Sequence, residues 1–158
     1  METKIHSFSY KKYDNINDLP TDLQTLMLEA IKIRNQAYVP YSSFAVGVAI
    51  LLDNGEIITG NNQENAAFPS GTCAERVAIF YAMAQYPKAK IMKIAITGTN
   101  INFPKNEPVT PCGNCRQAIL EYESVKKQPI EILCMGATGE VLVVSSVKDF
   151  LPFCFDEF

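Results

Sequence analysis

The sequence predicts a three-layer α/β/α domain around a mixed five-stranded sheet, and three observations carry that prediction. Segments with helical spacing begin near residues 21, 73 and 112; five short runs rich in Val, Ile and Leu lie between and after them; and helices alternate with strands along the chain. Helices interleaved with strands cover both faces of one sheet, because every sheet face and every apolar helix stripe must be buried. A length of 158 residues suffices for one domain with a substantial core and is too short for two ordinary ones. Residues 20–158 are therefore expected to form a single domain, with residues 1–19 as an N-terminal extension that lacks a sustained period and packs on the domain or on a neighbour.

Taken in order, Thr21 followed three residues later by Gln24 has the form of a capping box, so a helix should start there. Leu23, Leu26, Met27, Ala30, Ile31, Arg34, Ala37 and Tyr38 recur at helical spacing until Pro40 ends the stripe. Phe44 to Leu52, the turn Asp53-Asn54-Gly55 and Glu56 to Thr59 make a hairpin. A polar loop, Gly60 to Asn65, leads through Pro69 and Gly71 to Cys73. From Cys73 to Tyr86 a second helix crowds Val77, Ile79, Phe80, Tyr81 and Met83 onto one broad apolar side, predicted to be largely buried. Ile91 to Thr97, apolar except for Lys93, reads as a strand covered on both faces. After a loop with two prolines, a third helix runs from near Cys112 to about Glu123; Ile130 to Met135 and Val141 to Val144 are the last strands, and an apolar tail closes the chain.

Composition excludes several function classes. The chain is 47% hydrophobic and 20% charged, with net charge -3 and fourteen scattered Lys and Arg, so no electropositive stripe exists for a phosphate backbone and a nucleic-acid polymer is not an expected partner. No apolar run reaches the roughly eighteen residues of a membrane span, and the first residues lack the apolar core of a secretory signal, which gives a cytoplasmic expectation with no membrane partner. Five cysteines, three of them at metal-ligand spacing, fit a reducing compartment better than a disulfide framework. Cys134 and Cys154 sit in apolar surroundings, where cysteine behaves as a small hydrophobe.

The chemistry gathers in Cys73-Ala74-Glu75 and Pro111-Cys112-Gly113-Asn114-Cys115, each where a helix begins. A thiol must lose its proton to bind zinc, and a helix N-terminus favours that loss. Cys112 and Cys115, three apart, lie on one side of a helical turn. A structural zinc site closes with four protein ligands, whereas a catalytic one keeps three and leaves room for water. The competing interpretation makes Cys112 and Cys115 a redox pair or half of a structural site, with Cys73 an unrelated buried thiol. His6, the one histidine, lies in the extension, which pushes the site toward all-cysteine ligation. Three thiolates carry -3 against a +2 ion; Arg76 and Arg116 are the nearby cations that could offset the excess, and Arg76, beside Glu75, is the favoured one. Glu75 is close to a ligand without being needed as one, so it can move protons, although a glutamate in a first turn can also simply complement the helix dipole. The Asn-rich loop before Cys73 is either an ordinary solvated turn or a binding loop.

This combination carries the signature of zinc-dependent deaminases, a His or Cys, one residue, Glu, and later Pro-Cys-x-x-Cys. From about Leu23 to Phe155 the sequence resembles the cytidine deaminase family, specifically its small homotetrameric type, through Tyr41-Ser42-Ser43-Phe44-Ala45-Val46-Gly47, Asn62-Gln63-Glu64-Asn65-Ala66, Cys73-Ala74-Glu75-Arg76 and Pro111-Cys112-Gly113-Asn114-Cys115-Arg116-Gln117. The resemblance implies that Cys73, Cys112 and Cys115 hold Zn2+ and that Glu75 is the proton shuttle. It implies that Asn62 and Glu64 hydrogen-bond the ribose 3'-hydroxyl, that Phe44 packs on the pyrimidine and that backbone near Ala74 meets the base. Phe155 stands where an aromatic from a neighbouring subunit closes the pocket, with packing inside its own subunit as the alternative. The implied activity is hydrolytic deamination of cytidine and 2'-deoxycytidine in pyrimidine salvage, by a homotetramer with shared active sites and residues 20–158 as its catalytic domain. Phe68 departs from the family, where tyrosine is frequent, and residues 1–19 have no clear counterpart. A related aminohydrolase acting on another heterocycle such as blasticidin S, or on a base within RNA, is the nearest rival; a structural zinc or dithiol module is the rival from a different class.

Overall fold

In the computed structural model, which describes residues 1–156, the chain runs β1 (Lys11–Tyr13), α1 (Thr21–Arg34), β2 (Phe44–Leu52), β3 (Ile57–Asn61), α2 (Ala74–Gln85), β4 (Ile91–Asn100), α3 (Gly113–Lys126), β5 (Glu131–Met135) and β6 (Val141–Val144). The sheet order is β1-β6-β5-β4-β2-β3, and only β4 and β5 run parallel. The mixed sheet is as predicted, but it has six strands rather than five. The added strand comes from the extension: Lys11 pairs opposite Val143 and Tyr13 opposite Val141. Three residues are too few to show a period in sequence; the unpaired backbone edge of β6 is what makes them a strand. Tyr13, Ile16 and Leu19 then pack under α1.

Helices cover both faces. On one, Leu23, Leu26, Met27 and Ala30 of α1 meet Ala49, Ala95, Leu133 and Val143. On the other, Ala78, Ile79 and Ala82 of α2 and Ile119 and Leu120 of α3 meet Val48, Ile50, Ile94, Ile96 and Ile132. Neighbouring residues of β4 thus enter opposite cores, which is why that strand reads as a continuous apolar run. Its one interruption, Lys93, is paired with Asp22 at 2.8 Å and Glu131 at 3.2 Å.

Two glycines set how closely the helices approach. A Cβ on Gly47 would collide with the Ala30 carbonyl and lie 2.6 Å from the Arg34 nitrogen; one on Gly60 would lie 2.7 Å from the Ala78 nitrogen and 3.0 Å from the Ala74 carbonyl. Gly60 therefore seats the first turns of α2, the helix that carries Glu75. That closeness also corrects the expected face of α2. Its buried residues are Ala74, Glu75, Ala78, Ile79, Ala82 and Met83, whereas Phe80 and Tyr81 are 49% and 55% exposed, because a helix packed this tightly admits alanines in place of rings.

Other boundaries moved for local reasons. Pro20 occupies the N-cap of α1 and offers no side-chain acceptor, so the capping box does not form; the Gln24 amide instead donates to the carbonyls of Leu19 at 2.8 Å and Asn17 at 3.1 Å. The helix stops at Arg34, six residues before Pro40, because Tyr38 bridges to Gln63, its N-H bonding the Asn62 carbonyl at 3.1 Å and its carbonyl accepting from the Glu64 N-H at 3.0 Å. Gly60 and Asn61, expected in the loop, complete β3, and β4 continues three residues further, to Asn100.

Glu123, near the end of α3, is a buried carboxylate that accepts from the N-H groups of Ile130 at 3.0 Å and Val147 at 3.1 Å and from the Ser146 hydroxyl. It ties α3 to the start of β5 and the segment after β6. Glu123→Ala strands two buried N-H donors and a half-buried hydroxyl, so urea denaturation should report a loss of about 2–4 kcal/mol, with the m-value unchanged. Among the described residues, no helix is long and apolar enough to cross a membrane.

Candidate metal centre and active site

Cys73 and Cys112 are the N-cap residues of α2 and α3, both extended, and Cys115 lies fully buried in the first turn of α3. The packing of α2 beside α3 on one sheet face brings their N-termini together, and the three sulfurs lie within 4.8 Å of one another. Among the described residues no other His, Cys, Asp or Glu joins them, His6 included. Three soft sulfur donors converging where two helix dipoles present positive ends fit a zinc ion.

The surrounding charges fit as well. A terminal nitrogen of Arg76 is 3.8 Å from the Cys73 sulfur. Hydrogen bonding from the Cys115 thiol, reinforced by Arg76, holds the Cys73 thiol down to about 5, while the same bond and burial push Cys115 up. Of the two thiols, Cys73, beside the guanidinium, is the more readily deprotonated. Arg116 does something different: its guanidinium donates to the carbonyls of Pro111 at 2.7 Å and Phe150 at 2.9 Å and lies 5.2 Å over the Phe150 ring. It clamps the turn that carries Cys112 to the C-terminal segment.

Glu75, at the head of α2, is 5% exposed. Burial, followed by the charge on Cys73, raises its carboxyl above the ordinary range. A carboxyl whose pKa is raised takes up a proton more readily than an ordinary one and can release it to a basic atom, which is what a shuttle requires.

Beside Cys73 opens a cavity of about 490 Å³, lined by Tyr41, Ser42, Asn62, Glu64 and Phe68 among others. The Asn62 side chain is tied to β2, its oxygen accepting from the Val46 N-H at 2.8 Å and its nitrogen donating to the Phe44 carbonyl at 2.9 Å. One Glu64 oxygen accepts from the N-H groups of Tyr41 at 2.9 Å and Ser42 at 3.3 Å. The Ser42 hydroxyl and then those N-H groups hold the Glu64 carboxyl below the usual range.

The remaining sequence-derived positions spread around this cavity. Ala74 is buried in the first turn of α2. Phe44 lines a neighbouring cavity with Gly98, Phe103 and Val109 rather than the one next to Cys73. Phe155 is 70% exposed, so its ring does not pack in the core of its own chain, while its carbonyl accepts from the Gln117 side chain at 2.8 Å. Phe68, 77% exposed, stands edge-on to Tyr41 with ring centroids 6.3 Å apart. Sequence reasoning missed the backbone clamp of Arg116 and the hold of Ser42 on Glu64; the only sign of the latter was a short polar turn ahead of a strand.

Residues 20–131 match the family described as the cytidine and deoxycytidylate deaminase zinc-binding region. A cytidine deaminase of Halalkalibacterium halodurans is 43% identical over 100 residues, which cover 63% of this chain and 71% of that protein. A probable cytidine deaminase of Dictyostelium discoideum is 31% identical over 136 residues, covering 86% and 85%. Among solved structures, the cytidine deaminase from Burkholderia pseudomallei is similar with a TM-score of 0.71 at 35% identity, covering 83% of this chain and 97% of that one. The cytidine deaminase from Mycobacterium tuberculosis gives a TM-score of 0.65 at 31% identity, over 86% and 98%.

Proposed function

The chain belongs to the cytidine and deoxycytidylate deaminase family, and from that premise we propose that it is a zinc-dependent hydrolase converting cytidine and 2'-deoxycytidine to uridine and 2'-deoxyuridine with release of ammonia. The observation that carries this reading is the meeting of three sulfurs within 4.8 Å beside the buried carboxyl of Glu75. Cys73, Cys112 and Cys115 would hold the ion. When bound, zinc supplies the Lewis acidity that makes water a nucleophile near neutral pH.

Glu75 does the proton work. It takes one proton from the attacking water and delivers it to N3 of the pyrimidine, which makes C4 electrophilic; once the oxygen is bonded to C4, Glu75 takes that hydroxyl's proton and hands it to the amino group, which leaves as ammonia as the C4–N bond breaks and the C4 carbonyl forms. Its raised pKa supports both halves of that cycle. Arg76, against the Cys73 sulfur, offsets part of the thiolate charge that would otherwise weaken the pull on water. Glu64, held ionised, is a pure acceptor for a sugar hydroxyl. Asn62 has spent one of its two amide hydrogens on Phe44, which leaves the other for the same hydroxyl. Phe44, on the wall of the neighbouring cavity, is the ring we assign to the pyrimidine, and backbone at Ala74 the group we assign to the base. Asn62→Ala and Glu64→Ala should each raise KM for cytidine about tenfold or more, the worth of one hydrogen bond to a charged or buried group, with zinc content unchanged. Normal nucleoside binding by both variants would return the loop to an ordinary turn.

The assembly we infer is a homotetramer with Phe155 closing the pocket of a neighbouring subunit, a reading supported by the exposure of Phe68, Phe80, Tyr81 and Phe155. Light scattering should give four times the chain mass; a fully active monomer would refute the shared site. Residues 20–158 are the catalytic domain, residues 1–19 an extension whose β1 and Leu19 join that domain's sheet and core, and the setting is cytoplasmic pyrimidine salvage. The decisive experiment measures zinc per chain and then the loss of cytidine and deoxycytidine absorbance. One zinc with turnover of both is expected; zinc without deamination of any pyrimidine nucleoside would leave a structural module.

A further inference from the structure

Among the described residues after β6, a single turn of 3-10 helix, Val147–Phe150, is the only regular element, so the backbone beyond it must find its partners elsewhere. Two consecutive residues of α3 supply them. Arg116 donates to the Phe150 carbonyl at 2.9 Å, and the side-chain amide of Gln117 donates to the Phe155 carbonyl at 2.8 Å. Between these points Leu151 and Cys154 pack against the core that α2 and α3 cover, while Phe153 and Phe155 stay outside, 95% and 70% exposed. Lys148 closes the strap through an ion pair with Asp156 at 2.7 Å. A segment pinned inward by two side chains and held at the carbonyls of 150 and 155 can present an exposed ring in one fixed direction.

We propose that Gln117 is a positioning residue for the reaction: by holding the Phe155 carbonyl, it aims the Phe155 ring into the pocket of the neighbouring subunit. The proposal rests on the reading of Phe155 as the ring that closes that pocket. Gln117 lies two residues beyond Cys115 on α3, so one helix serves two centres, bearing sulfurs of its own and orienting a wall of the next. A ring whose backbone is already fixed loses less freedom when the nucleoside arrives, so the gain falls on binding rather than on the chemical step. Gln117 itself is half-buried and belongs to neither hydrophobic core, so losing its amide should leave the fold standing.

The test is a double-mutant cycle on the full chain with cytidine as substrate. Gln117→Met keeps the length, neutrality and helix propensity of the side chain and removes its donor; should it lower Tm or zinc content, Gln117→Ala takes its place in the same cycle. On the wild-type background the substitution should raise KM about three- to tenfold, the worth of one hydrogen bond, with kcat within about twofold and zinc per chain unchanged. Phe155→Ala should raise KM at least as far, and adding the Gln117 substitution to it should change nothing more, because the ring to be aimed is gone. Equal losses with and without the ring, or a fall in kcat at unchanged KM, would assign Gln117 to general support of α3 and overturn the proposal. An unchanged KM in the Gln117 variant, with KM raised in Phe155→Ala, would overturn it while leaving the shared pocket intact. An unchanged KM in Phe155→Ala would defeat both.

Discussion

Glu75→Gln should keep its zinc and lose about 10²- to 10⁴-fold in kcat, the contribution of a positioned acid-base group. The substitution preserves size and leaves the three sulfurs untouched, so metal analysis should match wild type. What it removes is a carboxyl whose pKa is raised by burial and by the charge on Cys73, the property that lets one group first accept and then donate a proton. An amide cannot exchange protons in that way at neutral pH. Because Glu75 is 5% exposed, replacing it by a neutral isostere also relieves the cost of burying a charge. Thermal stability of Glu75→Gln should therefore equal or exceed that of wild type, so the loss of turnover cannot be blamed on unfolding. Turnover within a few-fold of wild type would remove Glu75 from the proton path.

How much of this was legible in the sequence depended on the range of the interaction that fixes each element. α2, α3 and the central strands are set by their own periodicity and by whole-residue burial, and their extents match the pattern within a few residues. β1 exists because β6 offers an edge, a fact about position 143 that Lys11 does not carry locally. The capping box failed because Pro20 took the cap position, and the aromatics of α2 faced outward because Gly60 lets that helix sit too close to the sheet for rings. In the site, short-range spacing placed Cys112 and Cys115 on one turn, but only the packing of α2 beside α3 brings Cys73 to them. Ser42 and Arg116 act through backbone groups, and backbone partners leave almost no trace in residue identity.

The second large effect separates two cysteines that burial alone makes look alike. Cys115 and Cys134 are both fully buried, yet of the two only Cys115 belongs to the three-sulfur cluster. Cys115→Ala should lose bound zinc and, with it, measurable deamination, since two remaining thiols cannot hold the ion as three do. Cys134 sits in the apolar layer against α2 and α3, with burial pushing its thiol up. Cys134→Ala should accordingly cost about 1 kcal/mol in packing and keep both zinc and turnover. A ligand that binds only the folded state stabilises it by about 4 kcal/mol at a thousandfold excess over its dissociation constant. In a domain of this size that corresponds to about 8–16 °C in Tm. Wild type and Cys134→Ala should therefore lose on that order when a strong chelator is added, while Cys115→Ala should melt at the same temperature with and without it. If Cys115→Ala instead retained one zinc per chain and a chelator-sensitive Tm, the three sulfurs would not be the ligand set, and the chemistry assigned to Glu75 would lose its metal.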